Sequence, residues 1–220
     1  MNNAVGIELN NYAVQELKKG RLERAFEMLS YACETITKQH PGHINASHKI
    51  YRYTWEDCSR ALTKKLHHIS KFNEGSMPFL YLKFLTVDTP MGSQSVKDLC
   101  HCGYSWVLWY NLGIVSALMA ITAGGSSSSL LLQSLELLQR VKCRVDPEPL
   151  SKHWSMLQLS VLNNQACIFS DLSMSHDLVA RLVQMGLTLT KASKLLDPVD
   201  QELFQWTVLK LVEDRFAAAA

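Results

Sequence analysis

The chain predicts an all-α protein built from antiparallel helical hairpins, and three stretches of sequence carry that expectation. In Trp106 to Ala120, WVLWYNLGIVSALMA, the residues Trp109, Leu112, Gly113 and Ala120 recur at helical spacing, and two of them are small. A second copy of the pattern runs from Asn11 to Ala32, with small residues at Ala13, Gly20, Ala25 and Ala32. A weaker third lies between Leu162 and Gly186. Helices approach closely only where side chains are small, so small residues at a fixed interval predict contacts within and between helix pairs.

Composition supports a packed core and excludes several classes. Hydrophobic residues make up 47% of the 220 and charged residues 19%, which leaves enough apolar surface to bury and rules out disorder over the whole length. With 22 basic against 20 acidic residues the net charge is only +2, so no general attraction to nucleic acid or anionic membrane is expected. Six cysteines scattered through predicted helices, and an N-terminus without a signal-like apolar run, suit an intracellular setting, cytoplasmic or nuclear.

In chain order, Leu9, Ala13 and Leu17 mark one helix face, and Leu22, Ala25, Phe26, Leu29, Ala32, Cys33 and Ile36 mark the next. Gly20, preceded by Lys18 and Lys19, separates them as a residue suited to the position beyond a helix end. The second helix should stop near His40, before Pro41 and Gly42. Thr54-Trp55-Glu56-Asp57 reads as a capped helix start, followed by Cys58, Leu62, Leu66 and Ile69 on one face to about Ser70. Phe79 to Val87, FLYLKFLTV, predicts an extended segment paired with Ile50 to Tyr53. Residues 42–103 thus form a loop-rich insertion, with Pro90 to Ser95 mobile. A second hairpin follows: one helix at Trp106 to Ala120, the flexible stretch TAGGSSSS, and a helix from about Leu130 that places Ser134, Leu138 and Val141 against the first. Asp146-Pro147 closes it. A third hairpin contains LNNQACIFSDL, with the small residues Ala166 and Ser173 again seven apart, and continues through Val179 and Gly186 to within one residue, and Asp200 to Phe216 should form a covering helix.

Ala13, Gly20, Ala25, Leu29 and Ala32 in the first unit, with Trp109, Leu112 and Gly113 in the second, resemble the tetratricopeptide (TPR) family. The order of NN, WYNLG and LNNQA along the chain is similar to a group of TPR-like proteins of diatoms and other algae. The resemblance implies a single TPR-like α-helical domain over 1–220, a short solenoid of units near 5–40, 104–146 and 152–196, and a cap near 199–216.

No motif for chemistry emerges. Cys100-His101-Cys102 with Cys143 lacks the two to four intervening residues usual between structural zinc ligands. Adjacent histidines such as His67-His68 point about 100° apart on a helix, which disfavours a shared ligand. Phosphate loops, nucleophile elbows and HExxH are absent. The expectation is a non-enzymatic protein with neither cofactor nor metal. The serine run at Ser126 to Ser129 reads as an overlong turn, with phosphorylation the alternative.

Function is expected from the first helices of the hairpins, whose concave face would bind a protein or peptide partner. Candidate partner-binding residues are Asn10, Asn11, Gln15, Tyr110, Asn111, Asn163 and Asn164, since a carboxamide can both donate to and accept from a peptide backbone. Within the TPR resemblance, the basic clamp for acidic chaperone tails is missing: the first helix of unit one has no basic residue before Lys18, and that of unit three has none after Lys152. No affinity for acidic tail peptides is expected. The competing expectation is membrane attachment through Val107 to Ala123, because no Asp, Glu, Lys or Arg occurs between Asp98 and Glu136. Asn111 near the middle and the lack of flanking basic clusters weigh against it.

Overall fold

The computed structural model describes residues 3–39, 52–69, 80–88, 105–123, 127–145 and 152–219. Over these described residues it is mostly helical, with one two-stranded sheet. The helices are α1 (Asn3–Lys18), α2 (Leu22–Gln39), α3 (Ser59–Ile69), α4 (Ser105–Thr122), α5 (Ser128–Val145), α6 (Lys152–Asp171), α7 (Ser175–Ala192) and α8 (Pro198–Ala219); the strands are β1 (Arg52–Asp57) and β2 (Lys83–Asp88). Two compact units are described separately. Unit 1 comprises residues 1–71 and 82–140, unit 2 residues 72–81 and 141–220.

In unit 1, α1 and α2 form the first hairpin, with Ala13, Val14 and Leu17 buried on α1 and Leu22, Ala25, Leu29 and Ala32 buried on α2. The turn between them is built by Gly20, whose φ of 72° is open to glycine without a Cβ penalty. Its N–H donates to the Leu17 carbonyl at 2.9 Å and the Arg21 N–H to the Glu16 carbonyl at 2.9 Å, the paired bonds of a Schellman motif. Glu16 accepts from Lys19 at 2.7 Å and Arg21 at 3.1 Å, with Arg24 at 3.7 Å, so cations ring a carboxylate at the helix end. The Lys19 bond does most to hold its pKa below the ordinary range; desolvation pushes the other way, and Arg21 adds a lesser lowering.

Of the insertion, residues 52–69 and 80–88 are described. The expected extended pairing is found between Arg52–Asp57 and Lys83–Asp88, while Ile50, Tyr51 and Phe79 lie outside the described residues, and the strands are antiparallel in the register Tyr53↔Val87, Trp55↔Leu85 and Asp57↔Lys83. Thr54 to Asp57, read above as a helix start, belong instead to β1. Pairing with β2 satisfies this segment's backbone and overrides its local capping pattern; the helix begins at Ser59, whose N–H donates to Asp57 Oδ1 at 2.8 Å. Cys58 and Leu62 are buried as expected. Pro90 to Ser95, His40, His43 and the Cys100-His101-Cys102 cluster lie outside the described residues, as do Gly124 to Ser126 of the serine-rich stretch.

Helix α4 packs against α2 and is buried along most of its length, from Val107 and Leu108 to Ala120. At Gly113, α5 comes close: a Cβ there would lie 3.1 Å from Leu138 Cγ and 3.5 Å from the Ser134 carbonyl oxygen. Ser134 Oγ donates to the Gly113 carbonyl at 2.6 Å. The glycine here provides space, not backbone freedom: any side chain would make Leu138 shift by a few tenths of an ångström. The second helix begins at Ser128, two residues before the expected start, and Ser127 receives its first backbone bonds from Leu130 and Leu131.

In unit 2, α6 and α7 pair. The turn between them repeats the first: Met174 N–H donates to the Phe169 carbonyl at 2.9 Å and Ser173 N–H to Ser170 at 3.0 Å, with Ser173 at φ 57°. Ser173, expected as a small contact residue seven after Ala166, is therefore a turn residue occupying the place Gly20 takes seven after Ala13. The helix that follows turns inward at Leu178, Leu182, Met185, Leu189 and Ala192. Val179 is 43% exposed, and a Cβ on Gly186 would meet nothing within 4 Å. These two expected contacts lie one residue, about 100°, around the helix from the buried face. Phe204, Thr207 and Leu211 anchor α8, while Val199, Trp206 and Leu209 stay exposed, so this terminal helix does not present a polar outer face.

Candidate functional site: an asparagine grip on an extended strand

An extended segment inside a helical protein poses a backbone problem. Each residue brings an N–H and a carbonyl that must find partners when buried, and a two-stranded sheet satisfies only one side of each strand. In β2, Phe84, Leu85 and Val87 are essentially inaccessible. The antiparallel register turns the backbone groups of Phe84 and Thr86 toward β1 and those of Leu85 and Val87 the other way.

Asparagine side chains meet the second set. Asn111 Oδ1 accepts the Leu85 N–H at 3.0 Å and its Nδ2 donates to the Leu85 carbonyl at 2.8 Å. Two residues along the strand, Asn11 Oδ1 accepts the Val87 N–H at 3.0 Å and its Nδ2 donates to the Val87 carbonyl at 2.8 Å. A carboxamide is a peptide unit on a side chain, so each asparagine stands in for one residue of a neighbouring strand. Asn10 links the two helices that supply them: its Nδ2 donates to the Leu85 carbonyl at 2.9 Å and its Oδ1 accepts from Asn111 Nδ2 at 2.8 Å. Tyr110 extends the row, its hydroxyl donating to the Lys83 carbonyl at 3.1 Å while its ring meets Trp55 edge-on at 5.7 Å. Residues 83, 85 and 87 are thus held, on alternate positions, by α4 and α1.

Unit 2 repeats the grip once. Asn164 Oδ1 accepts the Tyr81 N–H at 2.7 Å and its Nδ2 donates to the Tyr81 carbonyl at 3.4 Å. The Tyr81 hydroxyl donates to Asp200 Oδ1 at 3.0 Å and lies 3.2 Å from Met156 Sδ, and its ring sits against Phe204 at 5.0 Å. Asn163 Nδ2 donates to Asn164 Oδ1 at 3.3 Å.

Six of the seven candidate partner-binding residues therefore bond within the chain: Asn10, Asn11, Tyr110 and Asn111 on residues 83–87 in unit 1, and Asn164, with Asn163 beside it, on Tyr81 in unit 2. Asn10, Asn111, Asn163 and Asn164 are fully buried, Tyr110 likewise, and Asn11 is half-buried. Only Gln15, on α1, is exposed. The residue type and the chemistry follow the expectation, an asparagine on both groups of one backbone residue in an extended segment. The occupant is the chain's own strand. The signal common to the three helices is an asparagine two residues before a small one: Asn11 and Ala13, Asn111 and Gly113, Asn164 and Ala166. Each small residue is buried.

Among the described residues nothing else gathers chemistry. Among the described residues no group of three or more His, Cys, Asp and Glu is placed to hold a metal. Burial pushes the Cys58 thiol up to about 12 and raises that of Cys167 further, so neither is a thiolate at neutral pH. A shallow depression lined by Lys18, Asp57, Cys58, Arg60, Ala61 and Lys64 contains no nucleophile paired with a base. Helix α4, Ser105–Thr122, is the one described helix long and apolar enough to cross a membrane, and 78% of it is buried inside the protein. No family model matches the chain, and neither a curated protein nor a solved structure matches it.

Proposed function

We propose that the protein is a non-enzymatic helical-repeat scaffold, built on TPR-like hairpins, that binds an extended segment of another protein on the first helices of its hairpins, whose asparagines already hold one such segment of the chain itself. The observation that carries this reading is the bidentate asparagine–backbone contact, made at Leu85 by Asn111, at Val87 by Asn11 and at Tyr81 by Asn164. Such contacts read main chain and not side chain, which is how strand-adding interfaces gain affinity. Their recurrence on α1, α4 and α6, each time two residues before a buried small residue, supports the repeat assignment. Membrane anchoring through α4 is disfavoured, because that helix already spends its apolar surface on the interior.

The test is capture of the intact chain from native lysate with a photo-crosslinking residue at exposed Gln15, one turn beyond Asn11. Crosslinks to an extended segment of another protein, reduced in Asn11→Ala, are expected. Crosslinks confined to the chain itself, with no protein enriched over an unmodified control, would refute the scaffold reading.

A further inference from the structure

We infer that the outer face of α8 is a self-association surface, on which two copies of the chain pair antiparallel about a two-fold axis at Trp206. The residues that form it are not those that carry the scaffold reading.

Helix α8 is apolar on two sides. Phe204, Thr207 and Leu211 make its buried row. Val199, Leu203 and Trp206 make a second row at the same helical spacing, with Leu209 beside it, and all four are exposed, Trp206 by 57%. A surface helix ordinarily turns one apolar stripe inward and charge outward, so an apolar row on the outer side is a surface that awaits a partner. Most of the exposed large apolar side chains among the described residues belong to unit 2, so this exposure is gathered and not scattered. The other four tryptophans, Trp55, Trp106, Trp109 and Trp154, are buried or half-buried.

The charges on this face select a second copy as the partner. Glu202 and Lys210 stand four residues before and after Trp206, about 40° to either side of it and ~6 Å along the helix in opposite directions. An antiparallel pair centred on Trp206 therefore sets Glu202 of each copy level with the partner's Lys210. Leu203 and Leu209, three residues before and after, stand level in the same register. Val199 and Glu213, seven residues out, close the two ends, where the carboxylate reaches solvent. Such self-complementarity is what a two-fold interface requires. A parallel pair would set Glu202 against Glu202 and Lys210 against Lys210, which repulsion disfavours. Lys210 also bonds Asp214 of its own helix at 2.8 Å, an exposed pair too weak to withhold the ammonium from a second carboxylate. Glu202 and Glu213 set acid on the apolar face, whereas helices that lie on lipid carry Lys and Arg around theirs. From Val199 to Glu213 the face is ~21 Å long and ~10 Å wide, which falls short of the ~800 Å² per partner of a standard interface, so the dimer is a weak one of micromolar affinity.

Sedimentation velocity of the intact chain from about 1 to 100 μM should show a monomer–dimer equilibrium, with Trp206 emission moving to the blue as the dimer forms. Trp206→Glu should be monomeric throughout and melt as wild type does at low concentration. Glu202→Lys and Lys210→Glu each bring like charges level and should each weaken the dimer about tenfold. Both substitutions in one chain restore opposite charges, as does an equimolar mixture of the two single variants, and either should return dimerisation to near the wild-type level. Should Trp206→Glu fail to fold, the charge variants alone decide. A wild-type chain monomeric at about 100 μM, or a dimer that Trp206→Glu leaves intact, would overturn the pairing. Single swaps that weaken the dimer without rescue by the double swap or the mixture would overturn its antiparallel register. A monomer that co-sediments with phosphatidylcholine vesicles would assign the face to lipid and overturn the second copy.

Discussion

Replacing Asn111 by leucine tests the grip at its centre with little change in volume. The amide of Asn111 is fully buried and makes three bonds: it accepts from Leu85 N–H, and donates to the Leu85 carbonyl and to Asn10 Oδ1. Leucine leaves no cavity of note but offers no polar atom. The Leu85 carbonyl retains Asn10 Nδ2 at 2.9 Å, so it keeps one partner. The Leu85 N–H and Asn10 Oδ1 lose the partners described here, and each buried polar group so orphaned costs about 1–3 kcal/mol. Allowing for relaxation, the expected loss is about 2–4 kcal/mol, or roughly 4–16 °C in melting temperature at ~2–4 °C per kcal/mol for a chain of this size. Urea denaturation of wild type, Asn111→Leu and the exposed control Gln15→Leu measures it, with the control expected within about 0.5 kcal/mol of wild type. A double-mutant cycle between Asn10→Ala and Asn111→Ala should show coupling of about 0.5–3 kcal/mol, since the two share a bond and an acceptor. If Asn111→Leu were as stable as the control, the argument that asparagine amides replace a neighbouring strand would be wrong.

Gly113→Leu should lower the unfolding midpoint clearly, because even a Cβ lies 3.1 Å from buried Leu138, and overpacking a dense contact costs about 1–3 kcal/mol or more; Gly186→Leu, with nothing within 4 Å, should be neutral or stabilising in the same calorimetric scan. Ser173→Gly should stabilise by about 0.5–1 kcal/mol, since φ 57° is strained for serine and free for glycine; a loss of stability by urea denaturation would mean the turn is held by the serine side chain. Glu16 has a depressed folded pKa, so its contribution is present above the unfolded glutamate value and is lost as pH falls through the folded one. Glu16→Gln should therefore flatten the acid side of the stability–pH curve below about pH 4.3, and an unchanged curve would show that Lys19 and Arg21 do not act on the carboxylate.

How much of this was legible in the sequence depended on whether the signal was local. The hairpin boundary at Gly20, the close contact at Gly113, and the extended character of residues 83–87 all follow from short-range chemistry. The start of α3 was missed because Thr54-Trp55-Glu56-Asp57 satisfies a helix-capping pattern and a strand pattern alike, and only the distant β2 decides between them. The face of α7 was off by one residue because the seven-residue interval from Ala166 to Ser173 was read as continuing through Val179 and Gly186. The left-handed turn at Ser173 resets the helical phase there, and no glycine marks it.

The same distinction explains the asparagines. Their chemistry was readable, since buried carboxamides on an apolar helix must bond something with both a donor and an acceptor. What they bond was not, because Asn10 and Leu85 are 75 residues apart and Asn11 and Val87 are 76 apart. A helix face with asparagines at matched places is compatible with a foreign peptide or with a strand of its own, and the sequence contains both the face and a segment that fits it.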